Sequence, residues 1–184
     1  MFDDARSKKI IIAAHCLLNQ NSISDATADL PGQYDKIVSL LIDKKVGIIQ
    51  LPCPELLCLG LARRDEDGGK RELLLENTRI RSLMEEKQNK DLLRTKVQEI
   101  VRQLEEYKKY NFEIIGIIGV NRSPSCGVEI TTIEGCETEG QGVFMKILEE
   151  ELESKGIKIK MTGVKTSEQN ESLEKVINLF NRKE

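Results

Sequence analysis

Three cysteines carry the first chemical signal in this chain, because each follows closely on a short apolar run. Cys16 comes after Ile10-Ile11-Ile12-Ala13-Ala14, Cys53 after Gly47-Ile48-Ile49-Gln50-Leu51, and Cys126 after Ile114-Ile115-Gly116-Ile117-Ile118-Gly119-Val120 and the linker Asn121-Arg122-Ser123-Pro124-Ser125. Thiolates select zinc, copper(I) or iron–sulfur clusters. Three of them at one point would form a soft-metal site with one coordination position left for a reactant, the condition that separates catalytic from structural zinc. No Cys-x-x-Cys pair is present, so a zinc knuckle or a compact ferredoxin spacing is not expected.

The residues beside these thiols suit reaction chemistry. Glu55, in Pro52-Cys53-Pro54-Glu55, is near enough to act at the same centre as a general base on water or as a proton donor. It could equally cap the helix expected to start there. Ser123-Pro124-Ser125-Cys126-Gly127 puts two hydroxyls, a stiff proline, a thiol and a permissive glycine in one loop. Such a loop can aim hydroxyls and backbone N–H groups at one small ligand. His15 is the single histidine. Beside Cys16 on a strand it would point to the opposite face, so a supporting or packing role is expected. Asn19, Arg64 and Asn121 are the candidates for substrate contact. Cys58 sits in a Leu-rich stretch and reads as a small buried hydrophobe. Cys136, in Glu134-Gly135-Cys136-Glu137, has no evident partner. A phosphate-cradling glycine motif is missing after the first apolar run, which gives a nucleotide-cofactor reading little support.

The elements that must position these groups follow from periodicity. Runs of four to eight apolar, β-branched residues read as strands of a buried parallel sheet. In such a sheet ligands bind beyond the carboxyl ends of the strands. If the three strands are neighbours, roughly 5 Å apart, their trailing loops converge and the thiols meet. Helical spacing is expected over Gln33 to Asp43, over Leu92 to Tyr107, over Val143 to Leu152 before Gly156, and over Leu173 to Phe180. Ile157 to Met161 alternates like a strand. The order predicts one α/β domain over 1–184, a three-layer, Rossmann-like α/β/α fold with a mainly parallel sheet and right-handed crossovers. Residues 61–90 interrupt it as a charged insertion. Its segment Arg63 to Arg71 is either a solvated loop or a flap hinged at Gly68-Gly69, with Arg63 or Arg64 facing a ligand.

Composition narrows the class. With 184 residues, 32% charged and 39% hydrophobic, the chain has the make-up of a globular protein with one sizeable core. A net charge of −3 argues against a large footprint for polymeric nucleic acid. No apolar run approaches the ~18 residues of a membrane span, and the charged N-terminus does not read as a signal peptide. No membrane partner, a cytoplasmic location and a monomer or homodimer are expected. Five cysteines are an odd number for a disulfide framework, so free thiols or metal ligands are anticipated.

His15-Cys16-Leu17-Leu18-Asn19, Cys53-Pro54-Glu55 and Ser123-Pro124-Ser125-Cys126-Gly127, followed by Gly140-Gln141-Gly142-Val143-Phe144-Met145, together resemble the thiouracil desulfidase family. The resemblance runs from about Lys9 to Leu152. It implies a [4Fe-4S] cluster on Cys16, Cys53 and Cys126 that leaves one iron without a protein ligand. It also implies removal of sulfur, as hydrosulfide and without net redox change, from a small thiolated compound. Its carboxylate and serine roles fall on Glu55 and on Ser123 or Ser125. The chain departs from the family where Asn19-Gln20-Asn21-Ser22 replaces a glycine and an Arg-Tyr-Asp-Gly stretch, and where Cys58-Leu59-Gly60 replaces a Gly-Gly-rich turn. These departures leave the three cysteines alone but bear on the substrate. The expectation is therefore a related desulfidase acting on a thiopyrimidine base or nucleoside. A zinc hydrolase on the same thiolates and a non-catalytic metal or sulfur carrier or sensor are the alternatives.

Overall fold

The computed structural model describes residues 2–181. Four strands, β1 (Lys9–Ala13), β2 (Gly47–Gln50), β3 (Glu113–Val120) and β6 (Met161–Val164), form a parallel sheet in the order β2-β1-β3-β6. A separate antiparallel hairpin pairs β4 (Ile130–Ile133) with β5 (Cys136–Glu139). The molecule is thus a mixed α/β domain with a mainly parallel sheet.

The isoleucine runs are continuous because both faces of the sheet are covered. Along β1 and β3, Ile12, Ile114 and Ile117 enter one apolar core, while Ile11, Ala13, Ile115 and Ile118 enter the other. The first core is closed by α3 (Pro54–Leu59), α4 (Leu73–Met84), α5 (Lys87–Lys109) and α6 (Val143–Ser154). The second is closed by α1 (His15–Leu18), α2 (Asp35–Asp43) and α7 (Gln169–Phe180). The chain passes from β1 to β2 on one side, then crosses back to lay β3 on the other side of β1. That reversal opens a crevice beyond the carboxyl ends of β1 and β3, where open α/β sheets bind ligands. Among the described residues no helix is long and apolar enough to cross a membrane.

One local expectation is corrected, and two elements are new. The strand expected over Ile157 to Met161 runs instead from Met161 to Val164. The alternation before it reflects Ile157 packing into the core between exposed lysines; a single ladder bond there, Ile117 N–H to the Lys160 carbonyl at 2.9 Å, does not make a strand. The charged insertion is largely helical, because Glu72 caps α4 by accepting the N–H groups of Leu74 and Leu75 at 3.2 and 3.1 Å. The hairpin escapes a search for apolar runs because every residue of β5 is exposed. Its turn places Glu134 and Gly135 at φ 49° and 76°, the paired left-handed geometry of a tight hairpin.

Candidate active site

Register brings the first two thiols together. Ala13 lies opposite both Gln50 of β2 and Ile118 of β3. One further rung on each side, Leu51 N–H to the Ala13 carbonyl and Ala14 N–H to the Ile118 carbonyl, both 2.8 Å, carries the alignment past the strand ends. Cys16 and Cys53 then follow at the same offset from their strands.

Local structure aims each sulfur. Cys16 lies in the single turn of α1, not on a strand, so strand alternation does not separate it from His15, and both line the same cavity. Cys53 is the N-cap of α3, its Sγ accepting the Leu56 N–H at 3.4 Å. Pro54 occupies the first helical position, where no N–H is needed. Cys126 sits in a loop that the Ser123 hydroxyl organises by accepting the N–H groups of Ser125 and Cys126 at 3.2 and 3.0 Å. The first turn of α6 clasps this loop from behind: the Val143 and Phe144 N–H groups donate to the Pro124 and Ser125 carbonyls at 2.9 and 3.0 Å. Gly142 is required for that approach, since a Cβ there would collide with the Ser125 carbonyl.

Cys16, Cys53 and Cys126 therefore line one cavity of about 230 Å³, together with Glu55 and Ser123. Its size, below the ~300–1,000 Å³ of clefts for drug-sized ligands, suits a small molecule. All five cysteines are free, and Cys58 and Cys136 lie outside the cavity, so no fourth thiol joins the lining. Burial pushes the Cys16 thiol up to about 12, with Cys53 and then Glu55 adding to it. Cys126 is raised well above the ordinary thiol value, again by burial first and then by Cys16, Glu55 and Cys53. Cys53 is raised by burial and by Glu55. Neighbouring sulfur thus disfavours charge at Cys16 and Cys126, Glu55 does so at all three thiols, and Arg63 opposes this at all three. Among the described residues no group of three or more histidine, cysteine, aspartate or glutamate side chains closes into a site for a metal ion.

Glu55 is buried in the first turn of α3. Its Oε2 accepts from Arg63 Nε at 3.0 Å and from the Ser24 hydroxyl at 3.1 Å, and its Oε1 accepts from the Ser125 hydroxyl at 2.8 Å. A carboxylate oxygen has two acceptor sites, so Oε1 keeps one for a water in the cavity. The two serines divide the work. Ser125 is fully buried and spends its proton on Glu55. Ser123 spends acceptor sites on the loop and keeps its hydroxyl proton free beside the cavity.

The remaining sequence candidates separate by position. Arg64 lies outside the cavity, pairing with Glu86 at 3.3 Å and donating to the Cys58 carbonyl at 3.1 Å. Arg63 takes the inward position: consecutive left-handed residues, φ 53° and 61°, turn the chain between the two arginines. Arg63 is buried and also donates to the carbonyls of Ser22, Gly60 and Leu61. Asn19 is exposed and outside the cavity, where it caps the turn Gln20–Ser22 and meets the His15 ring at 3.3 Å. Asn121 does line the cavity, but its Oδ1 accepts from the N–H groups of Val128, Glu129 and Ile130, and its Nδ2 donates to Glu129 at 2.7 Å. It organises the loop after β3. Gly68 and Gly69 lie against the Glu76 and Asp25 carboxylates, not in open space. Ser24 carried no sequence signal, because its partner Glu55 is thirty-one residues away.

No family model matches the chain, and no solved structure matches it. The chain is 31% identical over 155 residues to the uncharacterized protein MJ0003 of Methanocaldococcus jannaschii, a match covering 84% of this chain and 85% of that protein.

Proposed function

This chain belongs to the family of the Methanocaldococcus jannaschii protein MJ0003, and we propose that it is a [4Fe-4S]-dependent desulfidase that replaces sulfur by oxygen on a small thiolated compound. We read its fold as a three-layer, Rossmann-like α/β/α domain. The observation that carries the proposal is the meeting of three buried or half-buried thiols and one carboxylate on a single small cavity.

The donor set fits a cluster. Three soft ligands line the cavity and no fourth thiol does, so one corner of a cubane would lack a protein ligand. The thiols' mutual repulsion as thiolates calls for a cationic core to hold them deprotonated. When bound, the cluster would supply a Lewis-acidic iron with affinity for the substrate's sulfur.

The chain's own groups account for the rest. The net change is a thiocarbonyl plus water giving a carbonyl, hydrosulfide and a proton. Glu55 accepts the proton at Oε1 as a water oxygen bonds to carbon and the C–S bond breaks. Arg63 and Ser24 hold the other carboxylate oxygen, so the base presents a fixed edge. The free Ser123 proton can donate to charge developing on the ring.

The test is anaerobic reconstitution followed by iron, sulfide and visible-absorption analysis, together with hydrosulfide assay on thiolated pyrimidines. A broad brown absorption and hydrosulfide release, both lost in Cys53→Ser, are expected. A colourless reconstituted protein would overturn the cluster. A loaded protein that releases no hydrosulfide would point to a carrier or sensor.

A further inference from the structure

The cavity has a second wall that the chemistry above does not use. It is built from the segment leading into α2, where Gln33 and Tyr34 are each 5% exposed and both line the cavity. Gln33 Oε1 accepts the Asp29 N–H at 3.4 Å. Among the described residues neither Gln33 Nε2 nor Tyr34 Oη has a hydrogen-bond partner. Both residues nevertheless belong to the cavity lining. Buried polar groups without partners are costly unless a ligand or water satisfies them. Tyr34 shares this lining with Cys16.

Arg63, Arg122 and Lys165 are the cationic groups of the lining, and Asp29 is an acid there besides Glu55. Arg63 pairs with Glu55, Arg122 with Glu137 at 2.6 Å and Lys165 with Glu168 at 3.1 Å. Gln33 and Tyr34 add neutral hydrogen-bonding groups to this lining.

Resting on the desulfidase reading, we infer that Tyr34 and Gln33 are specificity-determining residues that bind the polar edge of a heterocycle by neutral hydrogen bonds. A Tyr hydroxyl can donate and accept, and a Gln amide nitrogen donates. Together they match a ring carbonyl next to a ring N–H, the edge that a thiopyrimidine keeps before and after losing its sulfur. An apolar thiol would leave both groups unpaired and would be rejected.

The test is calorimetric titration of anaerobically prepared protein with uracil and 2-thiouracil, using wild type, Tyr34→Phe and Gln33→Met. Both substitutions keep side-chain volume, and melting temperatures check that the fold is retained. Uracil should bind wild type and lose about three- to tenfold in affinity with each variant, the size of one neutral hydrogen bond. Unchanged affinity in both variants, or no binding of either probe to wild type, would overturn the inference. Binding that is sensitive to Tyr34 and Gln33 without hydrosulfide release would sink the desulfidase and spare the recognition wall. Hydrosulfide release indifferent to both variants would do the reverse.

Discussion

Two glutamates, each in the first turn of a helix and each held by arginine, do different things in this molecule. Glu55 and Arg63 are both almost fully buried, with side chains 10% and 4% exposed. Glu76 is equally buried, but its partners Arg79 and Arg71 are 26% and 39% exposed. Among the described residues every hydrogen bond to the Glu76 carboxylate comes from a guanidinium: Oε2 accepts from Arg71 and Arg79 and Oε1 from Arg79, at 2.5 to 3.0 Å, and Arg71 continues to Asp65 at 2.5 Å. Glu55 has one guanidinium, two hydroxyls and a spare acceptor site on a cavity. A carboxylate held only by solvent-reaching arginines staples a loop to a helix. A carboxylate held by one buried arginine and left one opening is preorganised for proton transfer, at a desolvation cost that stability alone would not favour.

The strongest way to break this contrast is to neutralise each glutamate. Glu55→Gln should lower the turnover number by about 10²–10⁴-fold, the usual contribution of a general base, while the cluster absorption persists. Glu76→Gln should leave turnover unchanged. Equal losses in steady-state hydrosulfide assays would erase the distinction.

Removing the arginines is next in size and is read by denaturant unfolding. Arg63→Met leaves a buried carboxylate without its cation and should cost about 3–5 kcal/mol of stability. Arg71→Met removes a partner that is 39% exposed and should cost no more than about 1 kcal/mol.

The smallest effect is a pH dependence. Hydrogen bonds from Arg79, then Arg71, hold the Glu76 carboxyl below its ordinary value against the opposing effect of burial. A group depressed in the folded state stabilises fully above its unfolded value, ~4.3 for glutamate, and loses that contribution as pH falls through the lowered folded value. Melting temperature followed downward from pH 5 should therefore drop more steeply in wild type than in Glu76→Gln. Parallel curves would show that the staple contributes nothing.

Much of the architecture was legible because it is local. Ile10 to Ala14 and Ile114 to Val120 announce buried strands by composition, and Val97, Ile100, Val101 and Leu104 announce a helix by spacing. The β4–β5 hairpin was not legible, because β5 is wholly exposed and β4 buries its two threonines more deeply than its isoleucines, so neither leaves a hydrophobic pattern. Among the substrate candidates, the choice between Arg63 and Arg64 could not be read from sequence. It depends on a backbone reversal that neither residue type encodes. The division between Ser123 and Ser125 likewise required knowing which hydroxyl meets Glu55, seventy residues earlier in the chain.

By its sequence alone this chain specified the apolar strands β1, β2 and β3, the helices α2, α5, α6 and α7, and that three thiols trail those strands, since periodicity and β-branching act over a few residues. Only the tertiary structure decided that β2, β1 and β3 lie side by side, that Arg63 turns inward and Arg64 outward, and that Gln33 and Tyr34 complete the cavity wall. Those outcomes depend on parallel pairings and burial between residues far apart in the chain, and no local propensity records them.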